Sequence, residues 1–181
     1  MAGRFFLKRG AGALSLLFAT ALMPVPASAT DLAMPLSVML DYGTSCQMSI
    51  AQDLAFGVAP ITLASGSVAI GSAINAQGLV TVNCSNGTSY TIYAPLSGNA
   101  NGSQRRLKNG SSYFNYSISA VSAGGTVVPT TQASATAAPY ARTGGGYADA
   151  ITIYGQVPAQ TVTGSPPAGA YTDTISFTVS Y

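Results

Sequence analysis

From residue 31 onward the chain repeats one pattern, short runs of alternating apolar and polar residues. Gly, Pro, Ser, Thr or Asn interrupt these runs at roughly every eight to twelve positions. A period of two puts the apolar side chains of an extended segment on one face, and helical periodicity is nearly missing. Residues 79–84 place Val80, Val82 and Cys84 on one side; residues 113–121 do the same with Phe114, Tyr116, Ile118 and Ala120. Residues 89–94, 150–157 and 171–181 read as further strands, with weaker ones at 54–58 and 67–70. Many short strands at this spacing predict an all-β antiparallel sandwich or barrel. Residues 95–104 carry turn chemistry, including Asn-Gly, and read as a loop. Residues 122–149, rich in Ala, Thr, Ser and Gly, read either as a binding loop or as a tolerant connection with one weak strand near 126–130.

The first residues have a different character. Arg4, Lys8 and Arg9 precede an apolar run over residues 10–23, followed by Pro24, Pro26 and Ala27-Ser28-Ala29. A charged start, a short apolar run and an A-x-A site predict a secretory signal peptide over residues 1–29. The run is shorter than the roughly 20 residues that span a bilayer. Beyond it, Arg105, Arg106, Lys108 and Arg142 face Asp31, Asp41, Asp53, Asp149 and Asp173, so the formal charge of +2 becomes −1. Three clustered cations fall far short of the basic stripe nucleic acids require, so no nucleic-acid partner is expected.

Two cysteines, Cys46 and Cys84, follow the leader, and in an oxidising compartment a single pair reads as one disulfide. Closing a loop of roughly 38 residues contributes about 4 kcal/mol on a chain-entropy argument. A redox-active pair usually has Cys-x-x-Cys spacing, which is absent.

The composition argues against an enzyme. There is no His, Trp or Glu, and charged residues make up 7 % of the chain. A Ser-His-Asp triad is impossible without His. No Ser-x-x-Lys frames Lys108, and no Asp-x-Asp cluster or phosphate loop occurs. No cofactor and no metal are expected. Triplets such as Asn109-Gly110-Ser111 match the glycosylation pattern, but are expected by chance in so Asn- and Ser-rich a chain.

The two ends of the exported part are the most informative. Leu32, Met34, Leu36, Val38 and Leu40 alternate strictly, with Ala33, Pro35, Ser37 and Met39 opposite. At the other end Ile175, Phe177, Val179 and Tyr181 share a face. An apolar leading strand either pairs within its own domain or adds to another molecule's sheet.

Those ends, together with Phe56-Gly57, Val80-Thr81-Val82-Asn83-Cys84, Arg105-Arg106-Leu107-Lys108-Asn109, Ile153-Tyr154-Gly155-Gln156-Val157-Pro158 and Ala168-Gly169-Ala170-Tyr171-Thr172-Asp173-Thr174, give the chain its resemblance. In order and spacing it resembles the spore coat protein U domain family, which includes subunits of archaic (Csu-type) chaperone–usher pili. The resemblance implies an incomplete immunoglobulin-like antiparallel sandwich completed by donor-strand complementation. A periplasmic chaperone lends the missing strand first, and the next subunit's N-terminal extension replaces it at an outer-membrane usher. On that basis residues 30–41 are the donor-strand extension and residues 42–181 the pilin domain. Leu32, Met34, Leu36, Val38 and Leu40 are then the donor residues. Ile175, Phe177, Val179 and Tyr181 line the acceptor groove and the chaperone-binding edge. The implied function is a structural subunit of a surface fimbria, joined head-to-tail to identical or homologous subunits, reaching the cell surface through the periplasm and supporting adhesion and biofilm formation. The alternatives are a monomeric secreted coat or envelope protein, or a surface-binding module, each with a closed sandwich. Arg105 and Arg106 act either at a subunit interface or in a pair with a carboxylate such as Asp173.

Overall fold

A computed structural model describes residues 35–181. The expected signal peptide, Leu32 and Met34 lie outside the described residues. Residues 35–45 form no regular secondary structure. Leu36, Val38 and Leu40 are 87 %, 87 % and 92 % exposed.

Asp41–Tyr181 forms one unit built from eleven strands. They are β1 (Cys46–Gln52), β2 (Ile61–Ala64), β3 (Ser67–Ile70), β4 (Ile74–Cys84), β5 (Ser89–Tyr93), β6 (Arg105–Asn109), β7 (Ser112–Ser119), β8 (Ala141–Thr143), β9 (Ala148–Val157), β10 (Gln160–Thr163) and β11 (Thr178–Ser180). A single 3-10 turn, Gln132–Ser134, is the helical content of the described residues, and no helix there is long and apolar enough to cross a membrane. Every strand pairing is antiparallel.

The main sheet runs β1-β4-β9-β7-β6, and two three-stranded sheets run β11-β5-β8 and β10-β3-β2. Alternation decides which side of each strand is buried. On β4, Val80, Val82 and Cys84 face inward; on β9, Ile151, Ile153 and Val157; on β7, Phe114, Tyr116 and Ile118. Tyr90 and Ile92 of β5 and Val68 and Ile70 of β3 join the same core from the smaller sheets. Between β6 and β7, Asn109 pairs with Ser112, leaving a two-residue turn. Gly110 sits there at φ +58°, a conformation glycine adopts without steric cost. The Asn109-Gly110-Ser111 triplet is therefore a hairpin turn.

Several expectations change in detail. Residues 53–60 form no strand. The 122–149 stretch contains the 3-10 turn, β8 and the start of β9, and its weak strand reduces to one bridge between Val127 and Ser119. The final strand is paired only at Thr172, with Lys108, and over β11. The result is an all-β, antiparallel fold, open beside its last strand and consistent with the expected incomplete immunoglobulin-like sandwich.

Candidate functional site

The opening is defined by β1. Partners opposite one another in an antiparallel pair point to the same face. Met48 lies opposite Val82, which is 0 % exposed, and Ile50 lies opposite Val80, which is 2 % exposed. Met48 and Ile50 therefore point inward, yet they are 38 % and 53 % exposed. Their partners on β4 are covered by the opposing layer and they are not.

The other rim is the C-terminal segment. Ile175, Phe177 and Val179 pack against the core on one side and stay half-exposed. β11 is the edge of its sheet, paired to β5 through Thr178–Tyr93, Val179–Ile92 and Ser180–Thr91. Among the described residues, 174–177 have no strand partner on either side. An edge with free N–H and C=O groups above an apolar floor is the geometry that accepts an added strand.

One hollow lies between the rims and a larger one adjoins it. The smaller one, about 310 Å³, is lined by Ile50, Leu54, Phe56, Leu107, Ile175 and Phe177. The larger one, about 760 Å³, continues from Leu54 and Phe56 to Val58, Ile70, Phe114 and Tyr171. Leu54, Phe56, Leu107 and Asp173 line both. Gly155 makes room for this floor, since a Cβ there would lie 2.5 Å from Leu54 Cδ2 and 2.8 Å from Phe56 Cζ.

Asp173 is the polar point of the groove. It accepts hydrogen bonds from Tyr116 Oη (2.6 Å), Ser97 Oγ (2.9 Å) and Asn99 Nδ2 (2.9 Å). Burial, and then the hydrogen bond to Asp173, raise the Tyr116 hydroxyl above the ordinary tyrosine value, so it remains a donor. Of the two alternatives for Arg105 and Arg106, a direct pair with Asp173 is not the arrangement found. Arg105, 5 % exposed, faces inward opposite Tyr116 and donates to the carbonyls of Ala94 and Pro95. Burial pulls its guanidinium below the usual value, while Tyr116 and Asp173 act in the opposite direction. Arg106 donates to the Asn99 carbonyl (2.8 Å) and lies 4.0 Å from the Tyr113 ring centroid. The guanidinium donors are taken up by carbonyls of the 94–100 segment, while Asp173 accepts from three neutral donors.

At the far end of β1 the Cys46–Cys84 disulfide joins residues directly opposite in the β1–β4 ladder. A second polar cluster, Arg142 with Asp149 (2.7 and 2.8 Å) and Tyr90 Oη on the same carboxylate (2.7 Å), lines neither hollow. Among the described residues no group of three metal-ligating side chains occurs.

Ile175 and Phe177 thus line the groove and Val179 lies on the same rim, while Tyr181 at the end of the chain is 61 % exposed. Met48, Ile50, Leu54 and Phe56, on the opposite wall, were not among the groove residues expected from the sequence, although Phe56 was part of the Phe56-Gly57 motif. The Cys46, Met48, Ile50 alternation was the available signal for the first two. Of the leading segment, Leu36, Val38 and Leu40 are described, extended from any burial and without a strand partner.

Comparison with known proteins adds a family and a fold likeness. The family model described as Spore Coat Protein U domain matches residues 33–178. Among solved structures, the chain is similar to one described as the CsuC–CsuE chaperone–tip adhesion subunit pre-assembly complex from archaic chaperone–usher Csu pili of Acinetobacter baumannii. The identity is 22 %, the TM-score 0.44, and the match covers 76 % of this chain and 40 % of that chain. The chain therefore spans two-fifths of the solved chain it matches. No curated protein matches it.

Proposed function

The chain belongs to the spore coat protein U domain family, and from that premise we propose that it is a structural subunit of a surface pilus, assembled by the chaperone–usher pathway through donor-strand exchange. One observation carries the reading: Met48 and Ile50 face inward but are uncovered, beside a C-terminal edge whose residues 174–177 have no strand partner. A monomer on its own leaves that apolar surface in water.

On this reading Leu32, Met34, Leu36, Val38 and Leu40 of one copy seat in the groove of the next. A strand with five alternating apolar residues is about 30 Å long at 3.3 Å per residue. Burial of those five side chains at roughly 1.5–3 kcal/mol each gives a contact that reverses slowly even after ordering costs. Pro35 lacks an N–H and removes one ladder bond. Before assembly, a periplasmic chaperone covers the groove, and an outer-membrane usher exchanges it for the incoming subunit. The fibre then stands on the cell surface and supports adhesion and biofilm formation.

The test compares the chain from Thr30 onward with a Leu36→Asp, Val38→Asp variant. Concentrated samples are run on denaturing gels without boiling. The native chain is expected to form a ladder of detergent-resistant multiples and the variant only monomer. Monomer from both would remove the proposal.

A further inference from the structure

The groove's C-terminal rim has a free edge and apolar side chains above a hollow. Nothing in its own backbone pairing keeps it there, because residues 174–177 have no strand partner among the described residues. Left alone, such a segment collapses over the hollow to remove apolar surface from water. Its position is set at its two ends, by β11 on β5 and by residues 172 and 173.

We infer that Arg105, Arg106 and Asp173 belong to one brace that holds the acceptor rim in place before a donor strand arrives, with Asp173 as its positioning residue. The inference rests on the donor-strand reading. Thr172 exchanges two backbone hydrogen bonds with Lys108 (2.9 and 3.1 Å). Next to it, Asp173 takes the three donors from Tyr116, Ser97 and Asn99. Tyr116 sits on β7 in the main sheet, but Ser97 and Asn99 lie on a segment with no ladder of its own. The arginines supply what that segment lacks. Arg105 holds the carbonyls of Ala94 and Pro95, and Arg106 those of Asn99 and Ala100 (2.8 and 3.3 Å). Tyr113, under the Arg106 guanidinium, fixes that side chain from below.

The chain of contacts runs from β6, through the 94–100 segment, to Asp173, at the point where the two hollows meet. A carboxylate with three hydrogen bonds is held far more firmly than an apolar rim residue. The functional consequence is kinetic. A preformed groove captures a strand without first paying the entropy of opening, whereas a seated strand supplies its own ladder and keeps the rim ordered. The brace therefore governs capture and leaves release unchanged.

The experiment uses the full chain from Thr30 onward with Leu36→Asp and Val38→Asp, which disables its own donor, and a fluorescent peptide of residues 30–41. Association and dissociation rates are measured by stopped flow and by dilution. Adding Asp173→Ala is expected to slow association by about tenfold or more, the size expected for lost charged hydrogen bonds. Dissociation stays within about twofold, since the seated strand is unaffected. Asp173→Asn keeps one acceptor oxygen and replaces the other with a donor, so it is expected to restore the association rate only in part. Asp149→Asn, in the polar cluster away from the groove, changes neither rate. If Asp173→Ala does not fold, a Ser97→Ala, Asn99→Ala variant decides by the same rate criterion. Association equal to the parent, or a slowing matched by Asp149→Asn, overturns the brace while leaving the groove reading intact. A parent chain that never binds the peptide overturns the groove reading, and the brace with it.

Discussion

Gly155 shows how much one missing side chain contributes. It is buried on the inner face of β9, between Ile118 and Ala76 in the ladder, and the space above it is filled by the ends of Leu54 and Phe56. Those ends can swing outward, so Gly155→Ala is expected to fold with a stability loss of about 1 kcal/mol. Swinging outward, however, moves them into the groove they line. Titration with the 30–41 peptide should show affinity weakened by about tenfold, the cost of a displaced methyl or two in a packed contact; unchanged affinity would mean that the donor does not pass over this floor. The tyrosines give a second residue-scale prediction. Tyr90 is pushed up to about 12 from an ordinary value of 10.0, first by burial and then by its hydrogen bond to Asp149. Tyr116 is raised by the same causes, with Asp173 as partner. Between pH 10 and 12 the unfolded chain loses protons that the folded chain keeps, so the stabilisation is full below pH 10 and is lost as pH rises through the folded values. The thermal midpoint should start to fall near pH 10, and less steeply in Tyr116→Phe. An identical slope in that variant would contradict the assignment of Tyr116.

At the scale of elements, β1 is the exposed wall of the groove, held by one ladder to β4 and by the disulfide. Replacing both cysteines with serine should lower stability by about 4 kcal/mol on a chain-entropy argument. It should also weaken peptide binding, because the wall frays from its Cys46 end; calorimetry and the same titration check both. Loss of stability with full peptide affinity would show that β1 is not part of the acceptor. The strands legible from sequence alone are those whose alternation is buried on one side. Val80, Val82 and Cys84 on β4, Phe114, Tyr116 and Ile118 on β7, and β3 over residues 67–70 needed no tertiary information. β6 was hidden because it has only one inward apolar residue, Leu107, beside an arginine whose burial depends on the carbonyls of Ala94 and Pro95. β8 and β10, three and four residues long, are strands only because neighbours pair with them. The C-terminal strand was over-extended for a related reason: alternation reports which side chains face inward, and they do, but not whether a neighbour is present to pair with the backbone. The inward face of the C-terminal segment was therefore legible, and the β1 wall of the hollow was not.

Two features of the whole molecule support the proposed reading. An exposed alternating segment precedes β1, and an uncovered alternating floor lies beside β11, within a chain whose sequence places it in the spore coat protein U domain family. Low charge, at 7 % of residues, suits a subunit whose surface is largely shared with neighbours. The most direct measurement follows the thermal midpoint of the chain beginning at Tyr42 as the peptide of residues 30–41 is added, with a Leu36→Asp, Val38→Asp peptide as control. The account predicts a large rise with the native peptide and none with the control, because only the native peptide covers Met48, Ile50, Leu54 and Phe56. A chain already stable, monomeric and indifferent to both peptides would contradict it, and would mean that the sandwich is complete without a donor.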